Sequence, residues 1–267
     1  MAQTTANRPY RWLAQFYDRI FSPYSHSLEA ARQCVLGSIL PRVESACDLA
    51  CGTGTTALAL ARAGIRTFAV DLSPAMCRLA REKARHNGVP VKVLCADMRK
   101  FRLPEAVDLI TCEGDALNHV PRKADLAVVA KAAERALRPG GYFYFDVNNR
   151  LGFERYWPLT FWAEGSDFAF VMHGGCDSAG DRAWTDAEWF LREGKLWRRR
   201  HEHFEEVCWS PVEVRRALRA AGFGQILAWD AAPFFQPNPM IIAGCRSVYL
   251  ARKRPLRKRR AAPKAPQ

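Results

Sequence analysis

The sequence lacks long apolar runs and paired cysteines. No apolar stretch approaches the roughly 18 residues that a helix needs to cross a bilayer, and the opening MAQTTANRPYRW has no apolar segment typical of a secretory leader. We therefore expect a cytoplasmic protein with no membrane partner. The nine cysteines are odd in number and have no C-x-x-C spacing, which indicates reduced thiols rather than a disulfide framework.

The sequence also lacks a clear metal-binding pattern. His201, His203 and Glu205 would share one face of a strand, a spacing that a metal ion could use. Other charged residues surround them in the sequence, namely Arg198–Arg200, Glu202 and Glu206. So dense a run of charges indicates a solvated face, and we predict that the protein binds no metal.

Acidic residues are scarce at the carboxyl end. The formal net charge is +13 over 267 residues, and residues 252–267 contain eight basic residues and no acidic one. This segment is rich in Pro, Ala, Lys and Arg and cannot bury apolar surface, so we predict a disordered basic tail. The tail is either a solubilising extension or a weak electrostatic contact with RNA, DNA or another anionic surface.

The sequence does contain a regular alternation of strand and helix patterns. Short continuous apolar runs, typical of buried parallel strands, lie at 43–50, 66–71, 91–95, 107–112 and 142–147. Helical patterns lie between them at about 54–63, 74–87 and 122–137. This β-α-β-α series predicts an α/β fold with a doubly wound, mostly parallel sheet, whose main part is residues 43–147.

The regions before and after this series have different patterns. Residues 8–40 have helical periodicity and predict two short helices within an N-terminal helical cap, 1–42. Residues 148–209 hold six of the eight tryptophans and have turn signals at 177–181 and 192–195. Alternating polarity between those turns predicts inserted antiparallel strands that cover the acceptor site.

The last part of the chain returns to the sheet. The dipeptide Ser210-Pro211 is typical of a helix start, and Gly222 is typical of a helix end. Strands near 225–230 and 243–251 would follow that helix. The segment 210–251 is therefore predicted to complete a seven-stranded sheet.

The most informative motif lies where the first strand turns into a helix, at Asp48–Thr55. Its glycines let the backbone approach a ligand, and the free N–H groups at the helix start favour a carboxylate or phosphate. The run from Gly52 to Ala57 also fits G-x-G-x-x-G/A. Asp71 follows it at about the sequence distance at which a dinucleotide-binding enzyme has the acid that binds the ribose. The acid at Asp48 would repel pyrophosphate but suits an ammonium and a sulfonium, which favours S-adenosylmethionine over NAD.

These residues resemble the first motif of the class I S-adenosylmethionine-dependent methyltransferases, and the resemblance covers about residues 43–147. Ala50 stands where that family usually has its first glycine. The resemblance implies that Asp71 accepts both ribose hydroxyls and that Asp97 takes the adenine amino group. Asp48, Asp71 and Asp97 follow three successive strands, which is a more specific pattern than a single glycine motif. The alternative role for these three acids is helix capping.

The same resemblance implies further contacts to the cofactor. Tyr17 resembles a lid tyrosine, with packing of an amphipathic helix as the alternative role, and Met98 would pack on the adenine ring. Met76 has core packing as its alternative. The residues implied to bind the cofactor are Tyr17, Asp48, Ala50, Gly52, Gly54, Asp71, Leu72, Met76, Asp97, Met98 and Cys112.

The loop after the fourth strand, Cys112–His119, should face the methyl group, because ligands lie outside the carboxyl ends of the strands. It lacks the Asn or Asp followed by Pro-Pro and an aromatic residue that is typical of enzymes methylating base nitrogens or amides. Cys112-Glu113-Gly114 is instead similar to the small-molecule branch. His119 is a candidate general base, with a hydrogen-bonded loop histidine as the alternative.

We therefore predict an S-adenosylmethionine-dependent methyltransferase that acts in line on a nitrogen or oxygen of a small-molecule acceptor. The acceptor would bind between 112–119 and the inserted strands. The chemistry demands no catalytic base, because the sulfonium is already activated. The alternatives are an RNA methyltransferase that uses the tail and Arg198–Arg200, a non-catalytic cofactor-binding protein, and a nicotinamide-dependent dehydrogenase.

Overall fold

The computed structural model describes residues 10–235 and 242–255, with a seven-stranded sheet at its centre. Its strands are β1 Ser45–Leu49, β2 Arg66–Asp71, β3 Val91–Cys95, β4 Val107–Cys112, β5 Leu137–Asn148, β10 Phe223–Asp230 and β11 Arg246–Lys253. Their order is β10-β11-β5-β4-β1-β2-β3. The strands β1 to β5 pair in parallel, and β11 is antiparallel to both of its neighbours. The predicted mostly parallel, doubly wound sheet is confirmed.

Helices cover both faces of this sheet. The described residues form α1 Leu13–Leu36, α2 Thr55–Arg62, α3 Pro74–His86, α4 Asp125–Ala136, α5 Arg150–Tyr156 and α6 Pro211–Ala221. The start of α6 is a capping box between Ser210 and Glu213, and Gly222 ends it with φ +116°. Both ends of that helix agree with the prediction. No helix among the described residues is long and apolar enough to span a membrane.

The central strands are buried on both faces, which explains their continuous apolar runs. Successive side chains of a strand point to opposite faces. Ile110 accordingly packs in a core that includes residues of α4 and α6, whereas Leu109 packs in a second core that includes residues of α1 and α2. All five residues of β1 are buried.

Because β1, β2 and β3 pair in parallel, their carboxyl ends lie side by side at one edge of the sheet.

The region after β5 forms a second sheet. Its antiparallel strands are β6 Phe161–Glu164, β7 Phe168–Cys176, β8 Arg182–Glu193 and β9 Leu196–Val207. The β7–β8 and β8–β9 connections fall at the two predicted turns, and the alternation along β8 is confirmed. Trp189 is fully buried on its inner face and stacks on Phe170 and on Phe16 of α1.

The second sheet holds the start of α1 through a buried carboxylate. Glu202 of β9 accepts hydrogen bonds from the backbone N–H groups of Trp12, at 3.0 Å, and Leu13, at 2.9 Å. The indole Nε1 of Trp189 donates a third, at 3.1 Å. Glu202 therefore satisfies N–H groups that a helix start leaves unpaired. The prediction that Glu202 and Glu206 lie on a solvated face is wrong, because both side chains point inward from β9 and are buried.

Four boundaries differ from the predictions. The N-terminal segment forms one helix, α1, because its apolar residues face two cores along a continuous 24-residue run. The short helix α5 precedes the inserted strands. Strand β5 begins at Leu137, five residues early, because Leu137 already pairs with Val107. Strand β11 reaches Lys253, so the predicted tail begins inside the sheet; its residues 256–267 lie outside the described residues.

Candidate active site

The loop after β1 follows a left-handed backbone path. Ala50, Gly52 and Gly54 have φ of 57°, 53° and 85°. Glycine adopts this conformation without steric cost, whereas alanine does not, so Ala50 is strained. A Cβ on Gly54 would lie 3.0 Å from the Cβ of Ala80, whereas a Cβ on Gly52 would meet no heavy atom within 4 Å. Gly54 therefore permits close packing of α3, and Gly52 borders open space.

Asp71, at the end of β2, is held against this loop. Its Oδ2 accepts the N–H of Gly52 at 2.9 Å, and its Oδ1 accepts the N–H of Ser73 at 2.8 Å. Burial raises the pKa of Asp71, against the opposing effect of these hydrogen bonds. Ser73, not Asp71, caps α3 with its side chain. The adjoining Leu72 is 57% exposed.

Asp97, just after β3, is bound to a neighbouring arginine. Its Oδ2 lies 2.6 Å from Nη2 of Arg99, and Nη1 of the same guanidinium lies 3.0 Å from Asp125 of α4. The hydrogen bonds from Arg99 lower the pKa of Asp97, so the carboxylate is ionised at neutral pH. Met98 is partly buried against the main core. The structure thus places Asp97 at the expected strand end, with its orientation set by Arg99.

Asp48 is buried at the carboxyl end of β1. Its Oδ2 accepts the N–H of Ala57 in the first turn of α2, at 3.0 Å, and its Oδ1 accepts the hydroxyl of Thr111 on β4, at 2.9 Å. Burial and then the charge of Glu113 raise the pKa of Asp48 to about 7. Asp48 therefore joins α2 to the sheet as well as lining the cavity described below.

Glu113, directly after β4, was not predicted as a site residue. Its Oε2 lies 2.6 Å from Nη1 of Arg32, on α1, and 2.6 Å from the hydroxyl of Thr56. Its Oε1 is buried and has no hydrogen-bond partner in the described part of the chain. Burial raises the pKa of Glu113. An acid at the end of an apolar strand was the available sequence signal.

A cavity of about 350 Å³ lies between α1 and the loop after β1, a size in the range of small-molecule sites. Residues of its wall include Tyr17, Asp18, Arg32, Asp48, Ala50, Gly52, Thr53, Thr56, Glu113 and Gly114. Asp18 ties α1 across it, accepting the hydroxyl of Thr53 at 2.6 Å and pairing with Lys83 of α3 at 2.6 Å. The helix α1 therefore closes one side of the cavity.

The structure brings only some of the predicted cofactor residues to this cavity. Tyr17, Asp48, Ala50 and Gly52 line it. Met76 and Cys112 are not among the residues of its wall; both side chains are buried, and Cys112 packs in a core beneath the sheet. The predicted cofactor-binding residues are therefore divided between the wall of the cavity, the strand ends beside it and the buried interior.

A second polar site lies at the ends of β4, β5 and β11. Asp146 accepts the backbone N–H groups of Gly114 and Asp115, at 2.8 and 3.0 Å. Arg246 of β11 pairs with Asp115 at 2.6 Å and with Asp146 at 3.2 Å, and its Nε donates to Asn148 at 3.0 Å. The guanidinium is buried, and burial lowers the pKa of Arg246 to about 9. Sequence reasoning missed this network, although the charged residues Asp146 and Arg246, each next to an apolar run of its strand, were a signal.

Glu206 and His119 border the same network. Nε2 of His119 lies 3.9 Å from Oε1 of Glu206, and the ring of Tyr10 packs edge-on against the imidazole at 5.9 Å between ring centroids. Burial lowers the pKa of His119 to about 4, so the imidazole is neutral at pH 7. We call Asp115, Asp146 and Glu206 the acidic cluster.

The outer face of the second sheet carries the histidines considered as metal ligands. His201 pairs with Glu188 at 3.1 Å, and His203 pairs with Asp186 at 2.8 Å; the two histidines are exposed and the two acids are partly buried. Within residues 10–235 and 242–255, no group of three or more His, Cys, Asp or Glu side chains is arranged to hold a metal ion.

Comparisons with known proteins agree with this architecture. Residues 46–141 match the family model described as a methyltransferase domain. The YqeM protein of Bacillus subtilis is 27% identical over 218 residues, which is 80% of this chain and 86% of that protein. A ubiquinone biosynthesis O-methyltransferase of Methylococcus capsulatus is 36% identical over 107 residues, but these are only 44% of that enzyme's length.

Solved structures share the fold over nearly the whole chain. An S-adenosylmethionine-dependent methyltransferase of Clostridium acetobutylicum is 24% identical, with a TM-score of 0.75 over 92% of this chain and 99% of that one. The sugar N-methyltransferase KedS8 of a Streptoalloteichus species is 22% identical, with a TM-score of 0.72 over 95% and 96%. The similarity therefore extends beyond 46–141 to the second sheet and the C-terminal strands.

Proposed function

We propose that this chain, an S-adenosylmethionine-dependent methyltransferase of the class I fold, methylates a small molecule that binds beside the segment 112–119 under the second sheet. One observation carries the proposal: a buried polar network, including Asp115, Asp146 and Arg246, stands at the sheet edge next to the cavity. A structural core has little use for so many charges, because each one costs free energy to bury.

The cavity has the chemistry that the cofactor requires. The cofactor carries an ammonium and a sulfonium, and it supplies a methyl group activated for transfer. Glu113 presents a buried oxygen with no hydrogen-bond partner among the described residues, and Asp48 adds a second acid to the wall. The wall also holds Arg32, which pairs with Glu113, so two acids stand against one cation and favour a cationic ligand. The open space beside Gly52 lets the backbone approach that ligand closely.

The carboxylates beyond the cavity complete the proposed cofactor site. Asp71 keeps unused lone pairs on both oxygens while Gly52 and Ser73 hold it in place, and we assign it to the ribose diol. Asp97 is assigned to the adenine amino group, with Arg99 fixing its orientation, and Met98 to the face of the ring. Tyr17 lies on α1 above the cavity and is assigned to its closure.

On the acceptor side, orientation is the main contribution of the protein. The side chains of Asp115 and His119 keep 24% and 25% of their surface exposed, so an acceptor can reach them. His119 is neutral and can accept a hydrogen bond or a proton from the nucleophile. A base with a pKa near 4 is a weak proton acceptor at neutral pH. We therefore assign His119 to positioning the acceptor rather than to removing its proton.

The RNA alternative has no support from the arginines of β9. Arg199 pairs with Glu188 at 2.7 Å, Arg200 lies 3.3 Å from Glu193, and Arg198 also pairs with Glu193. These three cations face two acids of β8, because Arg198 and Arg200 both pair with Glu193. This part of the surface therefore carries little of the unopposed positive charge that phosphates require.

The test is incubation of a metabolite extract with methyl-labelled S-adenosylmethionine and the full chain, followed by mass spectrometry. We expect labelled small molecules and no labelled RNA. Tight cofactor binding without any labelled product would favour the non-catalytic alternative. Labelled RNA, lost when residues 256–267 are removed, would replace our proposal with the nucleic-acid one.

A further inference from the structure

The acidic cluster has more acid than base. Asp115, Asp146 and Glu206 face one guanidinium among the described residues, that of Arg246, and the neighbouring His119 is neutral. Burial raises the pKa of each of the three acids, so a further cation is needed to hold all of them ionised. Both oxygens of Asp146 accept backbone N–H groups, and the side chain also pairs with Arg246. Asp115 accepts a hydrogen bond from Nδ2 of Asn148 at 2.6 Å. Glu206 is left without a cation of its own among the described residues.

Glu206 is also left with an unused oxygen. The residue is 6% exposed, and its Oε2 has no hydrogen-bond partner in the described part of the chain. A buried carboxylate oxygen without a hydrogen-bond donor is unfavourable, because the charged group has lost its solvent and gained no partner. The groups that face Glu206 come from the segment before α1, from 112–119 and from β5, and they are Tyr10, Asp115, His119 and Asn148. None of them is a cation at neutral pH.

We propose that the acceptor is an amine, and that its ammonium group binds to Glu206 beside Asp115 and His119. This inference rests on the proposed methyltransferase function and names the acceptor's chemical class. An ammonium supplies both the missing positive charge and the hydrogen-bond donors, up to three on one nitrogen. A hydroxyl supplies one donor and no charge, and it would leave the cluster with its excess of acid.

Glu206 also provides a destination for the proton that an amine must lose before it acts as a nucleophile. The ammonium gives one proton to the Glu206 carboxylate, which frees the nitrogen lone pair. A nitrogen–carbon bond then forms as the methyl group leaves sulfur without its bonding electrons, so sulfur becomes a neutral thioether and nitrogen regains the positive charge. Burial and the charge of Asp115 raise the pKa of Glu206, which makes it a better proton acceptor than an ordinary glutamate.

The variant Glu206→Gln tests this assignment, with Glu205→Gln as the matched control. Glu205 is the adjacent residue of β9, but its side chain is 64% exposed. We expect N-methylated products from the extract and a loss of about 10- to 100-fold in kcat/KM for the corresponding amine in Glu206→Gln, the usual range for losing a hydrogen bond to a charged group. Glu205→Gln should behave as the wild type.

A binding measurement separates this inference from the proposed function. Methylammonium chloride, compared with potassium chloride at equal ionic strength, should raise the thermal unfolding midpoint of the wild type and of Glu205→Gln, but not that of Glu206→Gln. If Glu206→Gln does not fold, Glu206→Asp serves instead, because it keeps the carboxylate but shortens the side chain by one methylene. It should show a smaller loss of kcat/KM and a smaller loss of the stabilisation by methylammonium.

The outcomes are distinct. O-methylated products whose formation does not depend on Glu206 would overturn the amine assignment and leave the methyltransferase proposal standing. No labelled product of any kind, together with stabilisation by methylammonium through Glu206, would support the cation site and overturn the proposed function. An identical response of all variants to methylammonium, with N-methylation unaffected, would overturn the role of Glu206.

Discussion

The cavity beside β1 and the acidic cluster beside β5 stand at the same sheet edge but are assembled differently. Most of the cavity's chemistry comes from two stretches of chain, the loop 48–57 and one face of α1. The cluster draws Asp115, Asp146, Glu206 and Arg246 from segments up to 131 residues apart in the sequence. The first site depends on local backbone geometry and the second on the complete tertiary structure.

This difference separates two kinds of failure. A change in the cavity alters groups of the ligand wall that are held in part by backbone N–H groups of the loop, such as those of Gly52 and Ala57, so the main effect should be on ligand binding, with a modest effect on stability. A change in the cluster alters charges that compensate one another across four elements, so the effect should reach the stability of the whole fold. The following variants test that contrast.

The largest effect is expected from Arg246→Met. This change leaves Asp115 and Asp146 buried without their counter-ion, and breaking a buried pair in this way costs about 3–5 kcal/mol. Chemical denaturation should show that loss in the free energy of unfolding. The control is Arg252→Met on the same strand, where the side chain is exposed and the expected change is below about 0.5 kcal/mol. Equal small losses in both variants would remove the contrast between the two sites.

The second effect concerns Asp71→Ala. Loss of the carboxylate should weaken S-adenosylmethionine binding by about 1.5–3 kcal/mol, as measured by titration calorimetry, because a charged hydrogen-bond acceptor is removed. Asp71→Asn keeps an acceptor for Gly52 and should fold as the wild type while still losing affinity. Unchanged affinity in a folded variant would end the ribose assignment.

The third effect is a pH dependence from Asp48. Because its pKa is raised to about 7 in the folded protein, the protonated form favours folding, and this contribution is lost as the pH rises from about 4 through 7. Asp48→Asn resembles the protonated acid, since its amide can donate to Thr111. The variant should therefore gain stability relative to the wild type between pH 5 and 8, by at most about 1.4 kcal/mol per pH unit. A constant difference across that range would show that Asp48 does not titrate there.

The smallest effect is expected from Ala50→Gly. Relief of the left-handed conformation gains about 1–2 kcal/mol, and the added freedom of the unfolded chain offsets about half of it. The free energy of unfolding should therefore rise by about 0.5–1 kcal/mol. The mirror control is Gly64→Ala, at φ +81° with no atom near the new Cβ, which should lose a similar amount. A destabilised Ala50→Gly would mean that the methyl contacts of Ala50 outweigh its strain.

The contrast between the sites also shows which positions the sequence alone could bring together. Asp48, Asp71 and Asp97 follow successive strands, and parallel pairing of β1, β2 and β3 brings such positions to one edge. The resemblance also implied cofactor contacts for Met76, on α3, and Cys112, at the end of β4, and both side chains are buried. Spacing along a strand or helix does not specify which face the tertiary contacts will bury.

The inserted region shows the limit of alternation as a signal. Alternating polarity predicted the strand β8, but β9 has acids on both faces. Glu202 and Glu206 are inward because they meet the helix start at Trp12 and Leu13 and the network near Asn148, partners nearly 60 to 190 residues away. A charged residue on a strand is predicted as exposed unless its distant partner is known.

The sequence by itself determined the α/β alternation, the turns of the inserted strands and the loop that carries Asp48, because each depends on periodicity or on backbone freedom within a few residues. Only the tertiary structure decided that α1 is a single helix across two cores, that Glu113 and Arg32 meet, and that Glu206 lies beside Asp115 with one oxygen lacking a hydrogen-bond partner among the described residues. The physical reason is the balance between desolvation and charge pairing. A buried charge is tolerated only when distant segments supply partners for it, and those distances exist only in the folded chain.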